Sequence, residues 1–140
     1  MSLTLAILKP DSVSAGNAGK ILALLEEKGF TLRAVRMLRL TGSQAESFYE
    51  VHTERPFYGE LVEFMTSGPV IPLALERDDA VSYLREVMGA TDSQQAESGT
   101  IRALYGTNIQ ENALHGSDSV ENAALELRFF FSSAELLAAR

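Results

Sequence analysis

The sequence predicts an α+β protein of the broad α/β class, a four-stranded antiparallel sheet with helices covering it. Three observations carry that prediction. Short apolar runs alternate along the chain with stretches of helical periodicity. Glycine, proline and small polar residues punctuate the junctions between them. No repeat, low-complexity tract or linker divides the 140 residues, so 1–140 reads as one domain with a single core.

Residues 3–8 form a short apolar run ended by Lys9-Pro10-Asp11, a buried strand followed by a loop. Ala18, Ile21, Leu22 and Leu25 recur at helical spacing, and Gly29 is placed to end that helix. Over 30–40, Leu32, Val35 and Met37 interleave with Arg33 and Arg36, which suits a second strand. Helices are predicted over 43–52, with Phe48 and Val51 on one face, and over 58–66. Ser67-Gly68-Pro69 breaks the pattern before a third strand over 70–75 and a helix over 78–88. Residues 91–112 are mixed, polar and glycine-punctuated, too long for an idle loop in a compact domain. An edge strand over 113–115 comes next. Asp118-Ser119-Val120-Glu121 reads as a capping box that opens a last helix, Val120–Phe130. This order is that of a ferredoxin-like βαββαβ sandwich, with its helices on one face of the sheet.

Composition removes several functions before any motif is considered. Hydrophobic residues make up 46% and charged residues 22%, an ordinary globular balance. The apolar runs are too short to span a bilayer, and the N-terminus enters a strand pattern without a basic leader or cleavage site. A soluble cytoplasmic protein with no membrane partner is therefore expected. The absence of cysteine rules out disulfides, thiolate metal sites and cysteine nucleophiles. A net charge of −7 repels nucleic-acid phosphate, which disfavours DNA or RNA as a partner. An acidic protein still binds a nucleotide if its few cations gather in one cleft.

The most suggestive segment is Asn112-Ala113-Leu114-His115-Gly116-Ser117-Asp118-Ser119. It places an imidazole, hydroxyls and an acid before a helix N-terminus, where backbone N–H groups and the dipole favour phosphate. Imidazole is nucleophilic near neutral pH without a separate base. Such a histidine needs its second ring nitrogen held, and Glu126, set among Leu125, Leu127, Phe129 and Phe130, is a candidate acceptor. The same residues also describe a solvent-facing histidine in a capped turn.

A second cluster gathers Tyr49, His52, Arg55, Pro56, Phe57 and Tyr58. Phe57 offers a ring for stacking a base, and Tyr49 and His52 offer donors for phosphate oxygens. The alternative is an aromatic core corner with Arg55 in a surface ion pair. Lys9, Arg85 and Arg102 are the remaining candidate cations. Gly16-Asn17-Ala18-Gly19-Lys20 is no phosphate loop, because the first glycine is misplaced and Ile21, not Ser or Thr, follows the lysine. Two histidines without zincin spacing argue against zinc, and no glycine fingerprint supports a dinucleotide site.

Five segments in order, Ala6-Ile7-Leu8-Lys9-Pro10-Asp11, Glu54-Arg55-Pro56-Phe57-Tyr58, Phe64-Met65-Thr66-Ser67-Gly68-Pro69, Gly89-Ala90-Thr91-Asp92 with Gly99-Thr100-Ile101-Arg102, and His115-Gly116-Ser117-Asp118-Ser119, give the chain a family likeness. Over nearly its full length it resembles the nucleoside diphosphate kinases of bacterial type. The resemblance implies ping-pong transfer of a γ-phosphate from a nucleoside triphosphate to a nucleoside diphosphate, through a phosphohistidine at His115. It implies that Glu126 holds the other ring nitrogen and that Ser117 orients Glu126. Lys9, Tyr49, His52, Arg85, Thr91 and Arg102 would hold phosphates, with Asn112 on the sugar and phosphate side. Phe57 would stack on the base, with Leu61 and Ile109 lining the slot, and Mg2+ would ride on the phosphates and meet Asp118 through water.

Departures from the family pattern fall in 91–112. Ser93 and Ser98 stand where many members carry proline, and Leu104 where an acid usually follows Arg-Ala or Arg-Gly. Loss of proline implies a more mobile loop. The short C-terminus resembles the bacterial tetramers, so a symmetric homo-oligomer is expected, tetramer first, with hexamer and dimer as alternatives. Rival readings are a nucleotide-binding sensor without transfer, a nucleic-acid-binding protein, and a phosphatase working through phosphohistidine.

Overall fold

The chain, described here over residues 1–138 from a computed structural model, is organised around its first strand. β1 (Ser2–Leu8) sends Leu5 and Ile7 into one hydrophobic cluster and Ala6 and Leu8 into another, so it is covered on both faces. Period-2 alternation of side chains makes this unavoidable for an unbroken apolar strand. It pairs antiparallel with β3 (Ile71–Arg77) on one side and β4 (Leu114–Gly116) on the other. β2 (Thr31–Val35) adds to the far edge of β3, giving the order β2-β3-β1-β4. This is the antiparallel four-stranded α+β sheet that the sequence predicts.

The expectation of helices on one face is corrected. α2 (Ala18–Glu27), α5 (Ala80–Met88) and α6 (Ile101–Tyr105) pack against Ala6, Leu8, Leu73 and Leu75. On the opposite face, α3 (Gly42–Phe48), α4 (Tyr58–Met65) and α7 (Val120–Phe130) pack against Leu5, Ile7 and Ala74. Leu5, Ile7, Leu8, Leu73 and Leu75 are wholly inaccessible to solvent. Each such side chain stabilises the fold by roughly 1.5–3 kcal/mol.

Several local expectations also shift. Lys9-Pro10-Asp11 is not a loop: Pro10 opens α1 (Pro10–Ser14), where its missing N–H costs nothing. Gly29, at φ +90°, ends α2 as expected. The strand over 30–40 is shorter, with an irregularity between Leu32 and Ala34 and only a bridge from Leu38 to Val70 beyond Val35. The helix over 43–52 divides into α3 and a separate 3-10 turn, Glu50–His52. α7 is capped by Ser119, whose hydroxyl accepts the Asn122 N–H, not by an Asp118–Glu121 box. Val120–Phe130 is not the last helix either. Ser132 and Glu135 form a capping box that starts α8 (Ser133–Leu137), and Arg33 ties α8 to β2 through the Leu136 and Ala138 carbonyls.

The long segment 91–112 is hydrogen-bonded across its own base. The Asn112 amide donates to the Thr91 carbonyl at 2.9 Å, and the Ser93 hydroxyl to the Asn108 carbonyl at 3.1 Å. Asn108 Oδ1 accepts the N–H groups of Gln110 and Glu111. Ser93 thus supplies a tether where proline would have supplied stiffness.

Gly106 lies at the tightest point of this segment. A Cβ there would sit 2.7 Å from the Arg102 carbonyl oxygen and would also strike the Ser93 side chain. Gly106→Ala should therefore destabilise the protein by about 1–3 kcal/mol. The measurement is the urea midpoint at constant m-value, and an unchanged midpoint would show that the segment yields freely.

Candidate active site

The register of the sheet brings the first members of the site together. His115 on β4 stands opposite Ile7, so its side chain projects towards the face that carries α3, α4 and α7. There, Nε2 of His115 lies 2.8 Å from Oε1 of Glu126 on α7. Ser117 donates its hydroxyl to the same carboxylate oxygen, also at 2.8 Å. Ser117 is fully buried and sits behind the pair, off the open surface. With Nε2–H donated to a carboxylate, Nδ1 is the ring nitrogen that keeps its lone pair.

Beside this pair opens a cleft of about 650 Å³. Lys9, Tyr49, His52, Phe57, Leu61, Arg85, Thr91, Arg102, Ile109, Asn112, Asp118, His115 and Glu126 all line it. Every residue to which the family resemblance gives a role is thus at the cleft wall, apart from Ser117, one hydrogen bond away. Arg55 is exposed and is not part of the lining.

Lys9 follows directly on β1 and is 7% exposed. Its ammonium donates to Asn112 Oδ1 at 2.7 Å and to the Gln110 carbonyl at 3.2 Å. Burial lowers its pKa to about 8, the Arg102 charge pushes the same way, and Asp11 opposes both. Arg102, on α6, is gripped by three carbonyls, those of Asn112, Gly89 and Leu114. Burial, then the charge of Arg85, lowers its pKa to about 10, so it stays a cation at neutral pH. Three of its five N–H donors are spent on the fold, which leaves two for a ligand. Arg85, exposed on α5, bonds the Gly116 carbonyl at 3.3 Å. Asn112 gives both amide donors to the Thr91 and Ile109 carbonyls, so its visible task is to seat Lys9 and close the loop.

Aromatic rings build the opposite wall. Tyr49 is the C-cap of α3, and its hydroxyl is buried without a partner. Burial, with the Glu126 charge, raises its pKa. His52 stacks 6.4 Å from Tyr49 and lies 5.6 Å from Phe57. Phe57 is 46% exposed, Ile109 64%, and Leu61 half-buried, which leaves an open apolar slot at one end of the cleft. Asp118 is exposed and accepts the Asn122 amide at 2.6 Å. That bond, against a small burial effect and helped by Arg85 and His115, holds its pKa below the usual carboxylate value.

The sequence did not single out Phe48, Val51, Glu60, Gln110 or Asn122 as site residues, although all of them border the cleft. Phe48 is the most intimate: its ring lies 5.5 Å from the His115 ring at 77°. The helical face shared by Phe48 and Val51 was visible in the sequence, but the facing strand was not.

A family model described as nucleoside diphosphate kinase matches residues 2–136. The nucleoside diphosphate kinase of Persephonella marina is 54% identical over 134 residues, 96% of either chain. A crystal form of the Aquifex aeolicus nucleoside diphosphate kinase superposes with a TM-score of 0.95 at 47% identity, covering 97% of this chain and 99% of that one. A halophilic nucleoside diphosphate kinase from Halobacterium salinarum, solved in complex with CDP, gives 0.94 at 38% identity over 99% and 93%. Sequence and backbone agree along almost the whole length, and the chain belongs to the nucleoside diphosphate kinase family.

Proposed function

We propose that His115 is the residue through which this chain carries out the ping-pong phosphoryl transfer of its family, in the cytoplasm. The supporting observation is the Glu126 carboxylate at Nε2, 2.8 Å away, beside a cleft whose cations are Lys9, Arg85 and Arg102. The Nδ1 lone pair attacks the γ-phosphorus of a nucleoside triphosphate. A P–N bond forms, the bridging P–O bond breaks, and the diphosphate leaves with the electron pair. Glu126 stabilises the charge that develops on the ring, and Ser117 keeps that carboxylate aimed. A second diphosphate then attacks the phosphohistidine and restores the ring.

Phosphoryl transfer has a loose transition state, so catalysis is chiefly positioning and charge stabilisation. Lys9, Arg85 and Arg102 act on the phosphates, with Tyr49, His52 and Thr91 as further donors and Asn112 fixing Lys9 beside the sugar. Phe57 stacks on the base between Leu61 and Ile109, a contact that tolerates every base because each has a π-face. Mg2+ belongs to this reading as an ion carried by the substrate phosphates. No cluster of three or more His, Asp or Glu able to cage a metal exists among the described residues, while the ionised Asp118 at the cleft suits a water-mediated contact. When bound, the ion neutralises phosphate charge.

The assembly proposed is a homo-oligomer, tetramer first. The edge strand β2 and the residues after it leave Val35 and Met37 exposed, apolar surface that a subunit contact would cover. Light scattering on the purified protein should give a tetramer mass, and a monomer would overturn this assembly.

Incubation with γ-labelled ATP and Mg2+ should give an acid-labile label on the wild type that moves to added GDP. His115→Ala should take up none while still binding nucleotide. Substantial turnover by that variant would remove His115 from the mechanism.

Lys9 supplies a pH-dependent test. With its pKa near 8 in the free protein, it loses its charge as pH rises through that value. Bound phosphate raises the pKa again, so binding should take up protons, and affinity should weaken, at about pH 8.5. Calorimetry of ADP binding in buffers of different ionisation enthalpy measures the uptake. Lys9→Arg should lack it, and equal proton counts for both proteins would exclude Lys9 as its source.

A further inference from the structure

Ala113 carries an unusual backbone. Its φ is +77°, a region that L-residues with a Cβ seldom occupy, and it is completely buried. The N–H of Leu114 bonds the Asn112 carbonyl at 2.9 Å, closing a γ-turn around it. A γ-turn of positive φ is the rare and strained form. Such strain persists only where the surroundings over-determine it.

The surroundings come from one short stretch. Asp11 Oδ2 accepts the Ala113 N–H at 3.1 Å. The Ala113 carbonyl accepts the backbone N–H of Lys9 at 3.0 Å and the Ser12 hydroxyl at 2.7 Å. Both polar groups of residue 113 are thus held by residues 9–12, the junction between β1 and α1. Ser12 is wholly buried and has no place in the proposed chemistry, and Asp11 does not line the cleft. Immediately before the strained residue is Asn112, which seats the Lys9 ammonium at 2.7 Å. Two residues after it is His115, in register with Ile7.

We propose that Asp11 and Ser12 are positioning residues, which clamp the Ala113 peptide in its left-handed turn and thereby set Asn112, Lys9 and His115 in one arrangement. Released from the clamp, Ala113 relaxes towards negative φ, which swings Asn112 away from Lys9 and shifts the entry into β4. The inference rests on His115 as the phosphoryl acceptor.

The test is a set of full-length variants: Asp11→Ala, Asp11→Asn, Ala113→Gly and the double variant Asp11→Ala/Ala113→Gly. Read-outs are the rate of His115 labelling, the KM for GDP, and ADP affinity, each normalised to nucleotide-binding protein. Asp11→Ala should slow labelling and raise KM, together costing about ten-fold or more in kcat/KM, because small misplacements of reacting groups are expensive. Asp11→Asn keeps an acceptor oxygen and should retain most of what Asp11→Ala loses. Glycine takes positive φ without penalty, so the double variant should recover most of the loss. Wild-type kinetics in Asp11→Ala, equal damage in Asp11→Asn, or no recovery in the double variant would each overturn the clamp. Should Asp11→Ala not fold, Ser12→Ala with and without Ala113→Gly reads the same coupling. A wild type that binds nucleotide but takes no label strikes the function reading alone, since ADP affinity across the set still reports on the clamp.

Discussion

β1 has hydrogen-bonded neighbours on both edges and packed helices on both faces, so it has no freedom to slide. A slip of one residue would exchange Leu5 and Ile7 for Ala6 and Leu8 across the sheet and underfill one cluster while overfilling the other. The site is measured from this strand. Ile7 sets the height of His115, the end of the strand delivers Lys9, and the start of α1 grips Ala113. Packing of an aliphatic strand is therefore what fixes the distance between the imidazole and the ammonium.

Electrostatics in the cleft run against the protein as a whole. The chain has a net charge of −7, yet the cleft is served by Lys9, Arg85 and Arg102. Other cations are committed elsewhere: Arg33 and Arg36 to carbonyls of α8 and α7, Arg77 to the Lys28 carbonyl and the Tyr83 ring. Two of the cleft cations are nearly inaccessible, at 7% for Lys9 and 5% for Arg102. Desolvation raises the energy of such a charge, and an anion placed beside it would lower that energy again. Oriented charges that need no rearrangement during reaction are the most effective stabilisers of a transition state.

How much could be read from the sequence depended on whether a contact was local. The histidine segment was legible because imidazole, serine and acid are adjacent in the chain, and Glu126 because a carboxylate among leucines and phenylalanines demands a partner. Phe48 was legible as part of a helix face, but its contact with His115 exists only once α3 lies on the sheet. The unbroken run of β1 already implied cover on both faces, and expecting helices on one side overlooked that. α8 was missed because five residues show no periodicity; its Ser132–Glu135 cap was the available signal. The Ala113 turn left no local signature, since alanine is not a residue that positive φ selects.

Arg102 spends three of its bonds on the carbonyls of Gly89, Asn112 and Leu114, which bracket the long segment, turning its inner wall into a self-braced arch. Gln94, Gln95, Glu97, Ser98 and Leu104 stand on the exposed side of that arch. The two surfaces are therefore free to change at different tempos. Mutation can redraw the outer skin, and with it whatever neighbours the segment meets, while the bracing beneath keeps the cleft wall in place.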